Sequence, residues 1–307
     1  MTANVIPTFQ TEQFATTVKL LTQQTQSRLS GYVTMGSYVG KQASPVDQIG
    51  SVEMLPVTSR FQPMGRVDAP TDRRWVFPSD FELPQLVDSF DQLRLMVDPR
   101  STLVQAAVAA ANRKKDAVIA AAFFADAKTG ESGATTTSFP TSTSTNVVGV
   151  NTGGTASNLN VAKLRAAKKL LMSQEVGVEQ DEELYCAITA TEHDALLNEI
   201  QIINQDYRKN SDAAGTAVLE DGRVRRFLGI NFVIYNGLTT ATDDQSGTSR
   251  QIPVWSPTGV HLGMWQDLQV SVTQRNDLAG MPWQVYTKLT LGATRIEEKR
   301  VVKIWCR

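Results

Sequence analysis

The stretch Asp98-Pro99-Arg100-Ser101-Thr102-Leu103-Val104-Gln105-Ala106-Ala107-Val108-Ala109-Ala110-Ala111-Asn112-Arg113-Lys114-Lys115-Asp116-Ala117-Val118-Ile119-Ala120-Ala121-Ala122-Phe123-Phe124 governs how the rest of the chain reads. Asp98 is a suitable N-cap, and Pro99 suits the first helical position, where a missing N–H costs nothing. Alanine dominates the run after Pro99, which favours helix and lets other elements approach the backbone closely. Asn112 to Asp116 breaks the apolar run midway, which a membrane span would not tolerate and a long surface helix does. The expectation is a spine helix over residues 99–127, about 40 Å long at ~1.5 Å rise per residue.

Downstream, residues 129–157 are almost entirely Ser, Thr, Gly, Asn and Ala, and read as an exposed low-complexity loop. A second helix is expected from Asn158 to Gln174, with Leu159, Ala162, Leu164, Ala167, Leu170 and Leu171 inward and Gly177 as its stop. A strand at 184–190 leads to Thr191, read as the N-cap of a short helix reaching Ile202, with Asp194 three residues on. Residues 229–235, 283–291 and 301–305 read as strands.

Upstream, Ser51 to Val57 and Arg73 to Phe77 read as two short strands joined by the turn-prone link 63–72, with prolines that favour a sheet edge. An isolated hairpin of this kind is only marginally stable in water, so a partner on another subunit is expected. Phe14, Val18, Leu21, Thr25 and Leu29 recur at helical spacing in a Gln- and Thr-rich segment, before Gly31, Gly36 and Gly40 break the pattern. Such a thin stripe packs on the main body or on a neighbour. With long helices mixed among antiparallel strands, the fold class is α+β.

The 307 residues are 41% hydrophobic, enough for a sizeable core. The 30 basic and 31 acidic residues give a net charge of −1, without the basic excess expected of a DNA-gripping protein. Cys186 and Cys306 read as two reduced thiols and imply no disulfide framework. No secretory leader and no run of about 18 apolar residues is visible, so folding in the cytoplasm and no membrane partner are expected.

Catalytic patterns fail at named residues. His193 and His261 are the only histidines, and neither belongs to a metal-ligand spacing. Asp194 is adjacent to His193 in a helix, and adjacent helical residues do not face each other. Gly40-Lys41 only faintly suggests a phosphate loop: the motif's first glycine falls on Met35, and its hydroxyl position is Gln42. The acidic runs Glu179-Gln180-Asp181-Glu182-Glu183 and Asp243-Asp244 read as solvated faces. Arg223-Val224-Arg225-Arg226 reads first as a salt-bridging patch for a neighbouring subunit and second as a DNA-facing one. No residue is assigned as catalytic, cofactor-binding or metal-ligating, and no cofactor is expected.

The order of parts resembles the tailed-bacteriophage major capsid proteins of the Hong Kong 97 fold. Three stretches carry the likeness: Tyr185 to Leu197 as a strand and short helix, Gly222 to Tyr235 as a short strand, glycine and apolar strand, and Leu291 to Ile304 as a C-terminal strand pair. The resemblance implies an N-terminal arm at 1–46, an extended loop at 47–85 and a peripheral domain at 86–157 with the spine helix. It further implies an axial domain at 158–250 and closing peripheral strands at 251–307. It implies a head protein that self-assembles as hexamers and pentamers into an icosahedral shell around packaged double-stranded DNA. The expected partners are a portal, a decoration or cement protein and a separate scaffolding protein, because the arm is too short to be a built-in scaffold.

Some family members join subunits through a lysine in the extended loop. Here no lysine lies between Gln42 and Arg113, so a noncovalent shell is expected. Met54, Phe61, Met64 and Trp75 are either intersubunit anchors or core residues of their own subunit. Two other readings stand beside this one: an encapsulin-type nanocompartment shell, which the Gln/Thr-rich arm fits poorly, and an α+β hydrolase using scattered carboxylates.

Overall fold

The computed structural model describes residues 22–87, 100–143, 145–153, 155–178, 182–199 and 222–307. Phe14, Val18, Leu21, Asp98, Pro99 and the expected helix end at 200–202 lie outside them. The chain divides into two compact units: residues 1–26, 80–113 and 268–289 form the smaller, and 27–79, 114–267 and 290–307 the larger.

The elements are β1 (Thr34–Ser37), β2 (Ala43–Ile49), β3 (Thr71–Val76), β4 (Ser79–Val87), α1 (Arg100–Ala122), β5 (Ala127–Thr129), β6 (Thr135–Thr137) and β7 (Val147–Val148). Next in the chain are α2 (Val161–Ser173), β8 (Leu184–Ile188), α3 (Ala190–Leu197), β9 (Arg226–Phe227), β10 (Ile230–Ile234) and β11 (Thr240–Thr242). The last are β12 (Thr248–Trp255), β13 (Val260–Gln274), β14 (Trp283–Arg295) and β15 (Val301–Cys306).

The larger unit is built on a seven-stranded sheet in the order β7-β15-β12-β8-β10-β9, with β11 on β12. In its centre Val254 pairs with both Cys186 and Val302, and Ile252 with Ile304. Leu164, Ala167 and Leu171 of α2 pack on this apolar row, each without solvent exposure. Burial of these side chains is the main stabilising term for the layer. Asn160 caps α2 by accepting from Lys163 N, and Gly177 turns the chain away in the left-handed conformation at φ +72°.

Short helix α3 begins one residue earlier than expected. Thr189, not Thr191, is the N-cap, and Glu192 closes a capping box with it. Arg250 on β12 donates to Glu192 Oε1 at 2.6 Å and to Thr189 Oγ1 at 3.1 Å. The buried ion pair selects one threonine among two plausible caps, a decision made across the fold.

Helix α1 ends at Ala122, short of the expected 127, because Arg295 donates to the carbonyls of Phe123 and Ala125 and residues 127–129 turn into β5. The polar interruption of α1 also has a structural task. Asp116 is fully buried and accepts from Ser27 Oγ and from the backbone N–H groups of Arg28 and Leu29. Within the smaller unit, Asn112 and Arg113 hold the backbone of Thr25 and Gln24 in the same way.

The loop at 129–157 is only partly exposed. Val147, Val148 and Val150 are buried, and Asn146 donates to the Val301 carbonyl. β13 runs from Val260 to Gln274 although no strand was expected there. The alternation Leu268-Gln269-Val270-Ser271-Val272 carried its signal. In the sheet β1-β13-β14-β4, Gly292 of β14 has no room for a side chain, since a Cβ there would sit 2.1 Å from the Phe77 carbonyl.

Candidate assembly surfaces

β2 and β3 form the base of a long projection, pairing antiparallel from Ala43↔Val76 to Ile49↔Thr71, with a register shift at the Ser44-Pro45 step. Proline has no N–H to donate, which accounts for the irregularity there. A bond from Gly50 N to the Pro70 carbonyl closes the ladder. The strand expected at 51–57 is therefore absent: between Gly50 and Pro70 the chain is irregular, and the true partner of β3 lies upstream at 43–49.

Apolar side chains in this irregular segment face solvent. Met54 is 100% exposed, Met64 99% and Phe61 91%, with Val52, Leu55, Val57 and Val67 also exposed. Phe61 sits at φ +66°, an uncommon conformation for a bulky residue, in a turn closed by Thr58 and Gln62. Contiguous apolar exposure on this scale marks an interaction surface. Trp75 differs. It is half-buried, its indole donates to the Gly130 carbonyl at 2.7 Å, and the Gly133 turn lies against its ring. Its place is inside its own subunit, tying β3 to the β5–β6 turn.

The root of the projection is held by charge. Arg74 and Arg295 are both buried and converge on the single carboxylate of Glu298, at 2.8 and 3.4 Å. Burial lowers the Arg295 pKa, with Glu298 opposing the shift. Nearby, burial and then the positive charge of Arg295 bring Lys303 down to about 8, while its ammonium lies 4.5–5.1 Å from the ring centres of Phe124, Phe139 and Trp305. On the outside, Arg73 and Asp47 pair across the two strands, and this partnership holds the Asp47 carboxyl below its usual range.

Residues tested for chemistry fall into structural roles. His193 Nε2 accepts from Val224 N at 3.2 Å, which joins α3 to the segment before β9. Buried His261 lies between Thr34 Oγ1 and Tyr38 OH, and burial lowers its pKa. Asp243 is not a solvated face: it is buried and accepts from Ser249, Gly247 N and Gln245 N at the β11–β12 turn. Asp244 accepts from Val150 N. Burial pushes Glu182 up, yet Gly177 N, Ser256 and Arg300 together hold it below its usual range.

Arg223, Arg225 and Arg226 are exposed around buried Val224. Cys186 and Cys306 lie on strands separated by β12, farther apart than a disulfide spans, and both are buried free thiols. Among the described residues no cluster of three or more metal-ligating side chains occurs, and no helix is long and apolar enough to cross a membrane.

The model of a family described as phage capsid protein matches residues 5–307. The chain belongs to the phage capsid protein family. It is a structural subunit that self-assembles into a phage head shell, and its place is the virion.

Solved structures agree in fold. The capsid of Cyanophage P-SCSP1u aligns at TM-score 0.72 with 15% identity, covering 97% of this chain and 93% of that one. The Cyanophage Pam1 capsid aligns at 0.74 with 13% identity, covering 99% and 98%. The acid-stable capsid of Helicobacter pylori bacteriophage KHP30 aligns at 0.69 with 10% identity, covering 100% and 99%. A search of curated protein sequences returns no match. The capsid chain thus has the α+β, Hong Kong 97-like architecture that the order of its parts implied.

Proposed function

We propose that this capsid subunit forms hexamers and pentamers whose extended loops overlap neighbouring subunits, building a noncovalent icosahedral shell around the double-stranded DNA of a tailed phage. The observation that carries the reading is the exposed apolar segment 50–70 on a charge-locked root. Met54, Phe61 and Met64 have no core of their own to enter, and a second copy supplies one. Many such modest contacts, repeated around a closed shell, give a stable whole through multivalency.

In this reading residues 47–85 are the extended loop, 158–250 the axial domain, and 86–157 with 251–307 the peripheral domain, following the arm at 1–46. The subunit folds in the host bacterial cytoplasm and assembles on a separate scaffolding protein. It meets a portal and a decoration or cement protein, and carries no catalytic site. Near-neutral net charge suits a shell that contains DNA without gripping its sequence.

Electron microscopy of the chain expressed with and without a scaffold partner tests the proposal. Closed shells in the presence of scaffold are the expected result. A small discrete oligomer under both conditions would overturn it, and covalent ladders from unboiled particles would overturn the noncovalent part.

A further inference from the structure

Helix α2 has a second face. Its buried side covers the seven-stranded sheet, while its outer side carries Arg165, Lys168 and Lys169 and no acidic residue anywhere along the helix. An open hollow of about 610 Å³ runs along this outer side, lined by Ala162, Arg165, Ala166, Lys169, Met172 and Leu228. Met172 is exposed although apolar. Lys168 is turned inward to the Leu228 carbonyl at 2.7 Å, leaving Arg165 and Lys169 exposed along the hollow. The surface is an aliphatic trough with a cationic rim. Bare phosphate backbone would use the rim and waste the trough, whereas an acidic segment bearing an apolar side chain would use both.

The same chain contains such a segment. Gln174-Glu175-Val176-Gly177-Val178-Glu179-Gln180-Asp181-Glu182-Glu183 comes directly after α2 and contains no cation. Val176 is buried and Glu182 is committed to Gly177, Ser256 and Arg300, which anchors the segment. Glu175, Val178 and Glu183 remain exposed. Gln174 bonds the Thr145 carbonyl and Asn146 beside β7, whereas Leu228 adjoins β9 and β10, so the two surfaces sit toward opposite edges of one sheet. Complementary patches on opposite edges generate head-to-tail contacts, the kind that close a ring of copies.

We infer that the α2 trough receives residues 174–183 of a second copy, with Val178 against Met172 and the acidic side chains along Arg165 and Lys169. The inference rests on the proposed shell function and names one contact within each ring of subunits.

The test introduces Met172→Cys and Val178→Cys together, in cells expressing all the head proteins of the phage. The native cysteines are buried, so the new thiols are the exposed ones. Mild oxidation of purified particles is expected to give a ladder from dimers up to pentamers and hexamers on non-reducing gels, absent from either single variant. Intact particles that yield only monomer would overturn this contact and leave the shell reading standing. Absence of particles from the unmodified chain would sink both.

A charge exchange provides the second arm. Arg165→Glu with Lys169→Glu should lower particle yield roughly tenfold or more, because like charges then face each other. Adding Glu175→Lys and Glu183→Lys should restore it. Normal yield from the first pair, with or without a loss of packaged DNA, would overturn the inference. Failure of the second pair to restore yield would do so as well.

Discussion

The segment 50–70 and the helix α2 are both rich in apolar side chains, yet one exposes them and the other buries them. In α2, Val161, Leu164, Ala167 and Leu171 recur at helical spacing, so a single face meets the apolar row of β8, β12 and β15. In 50–70 the ladder ends at Gly50 and Pro70, no regular backbone aligns the side chains, and Met54, Phe61 and Met64 point into solvent. The difference teaches that apolar content builds a core only where a periodic backbone presents it to one side. Where it does not, another molecule must complete the burial.

The largest effects should come from the root that separates the two regions. Glu298→Ala leaves Arg74 and Arg295 buried without their carboxylate, and a loss of about 3–5 kcal/mol is expected in chemical denaturation of the subunit. A loss below about 1 kcal/mol would show that these guanidiniums are solvated after all. Next, Leu164→Ala should cost about 2–5 kcal/mol by opening a cavity beneath α2, with assembly failing as a consequence of lost stability.

The opposite signature is expected at the tip. Phe61→Ser with Met64→Ser should change subunit stability by less than about 0.5 kcal/mol while particle yield collapses in electron micrographs. Equal effects on both measurements would erase the distinction between the two regions. Trp75→Ala belongs with the root: it should loosen the β3–β5 pairing and lower the thermal midpoint before it affects assembly.

A smaller effect concerns pH. Lys303 has a folded-state pKa of about 8, below the ordinary lysine value. Between these two values the unfolded chain binds more protons than the folded one, so stability should rise as pH increases through that window. At and below about pH 8 the cost of burying the charge is present in full. Lys303→Met should flatten this slope in denaturation curves taken across the window. Smallest of all, iodoacetamide should leave Cys186 and Cys306 unlabelled in the native subunit, since burial pushes the Cys306 thiol up to about 12 and raises Cys186 as well.

Much of this was legible in the residues. The alanine-rich run gave α1, the leucine spacing gave α2, and Met54, Phe61 and Met64 stood out as candidate anchors in an apolar segment without a core of its own. Other features were hidden because their causes lie far away in the chain. The end of α1 depends on Arg295, and the choice of Thr189 as cap depends on Arg250. Asp243 looked like a surface carboxylate because its donors, Ser249 and the N–H groups of Gln245 and Gly247, appear only once the β11–β12 turn closes. The trough on α2 was hidden for a related reason: Leu228 completes it from nearly sixty residues away.

By itself the sequence determined the α+β class, the two main helices, the absence of recognisable catalytic spacing and a surplus of apolar side chains with no local core. Those properties follow from periodicity and composition, which act over neighbouring residues. Only the tertiary structure decided where elements stop, that β3 pairs with 43–49, that Trp75 is a root residue, and that one glutamate holds two buried arginines. Each of these depends on groups brought together by packing, and their energies exist only once water has been excluded between them.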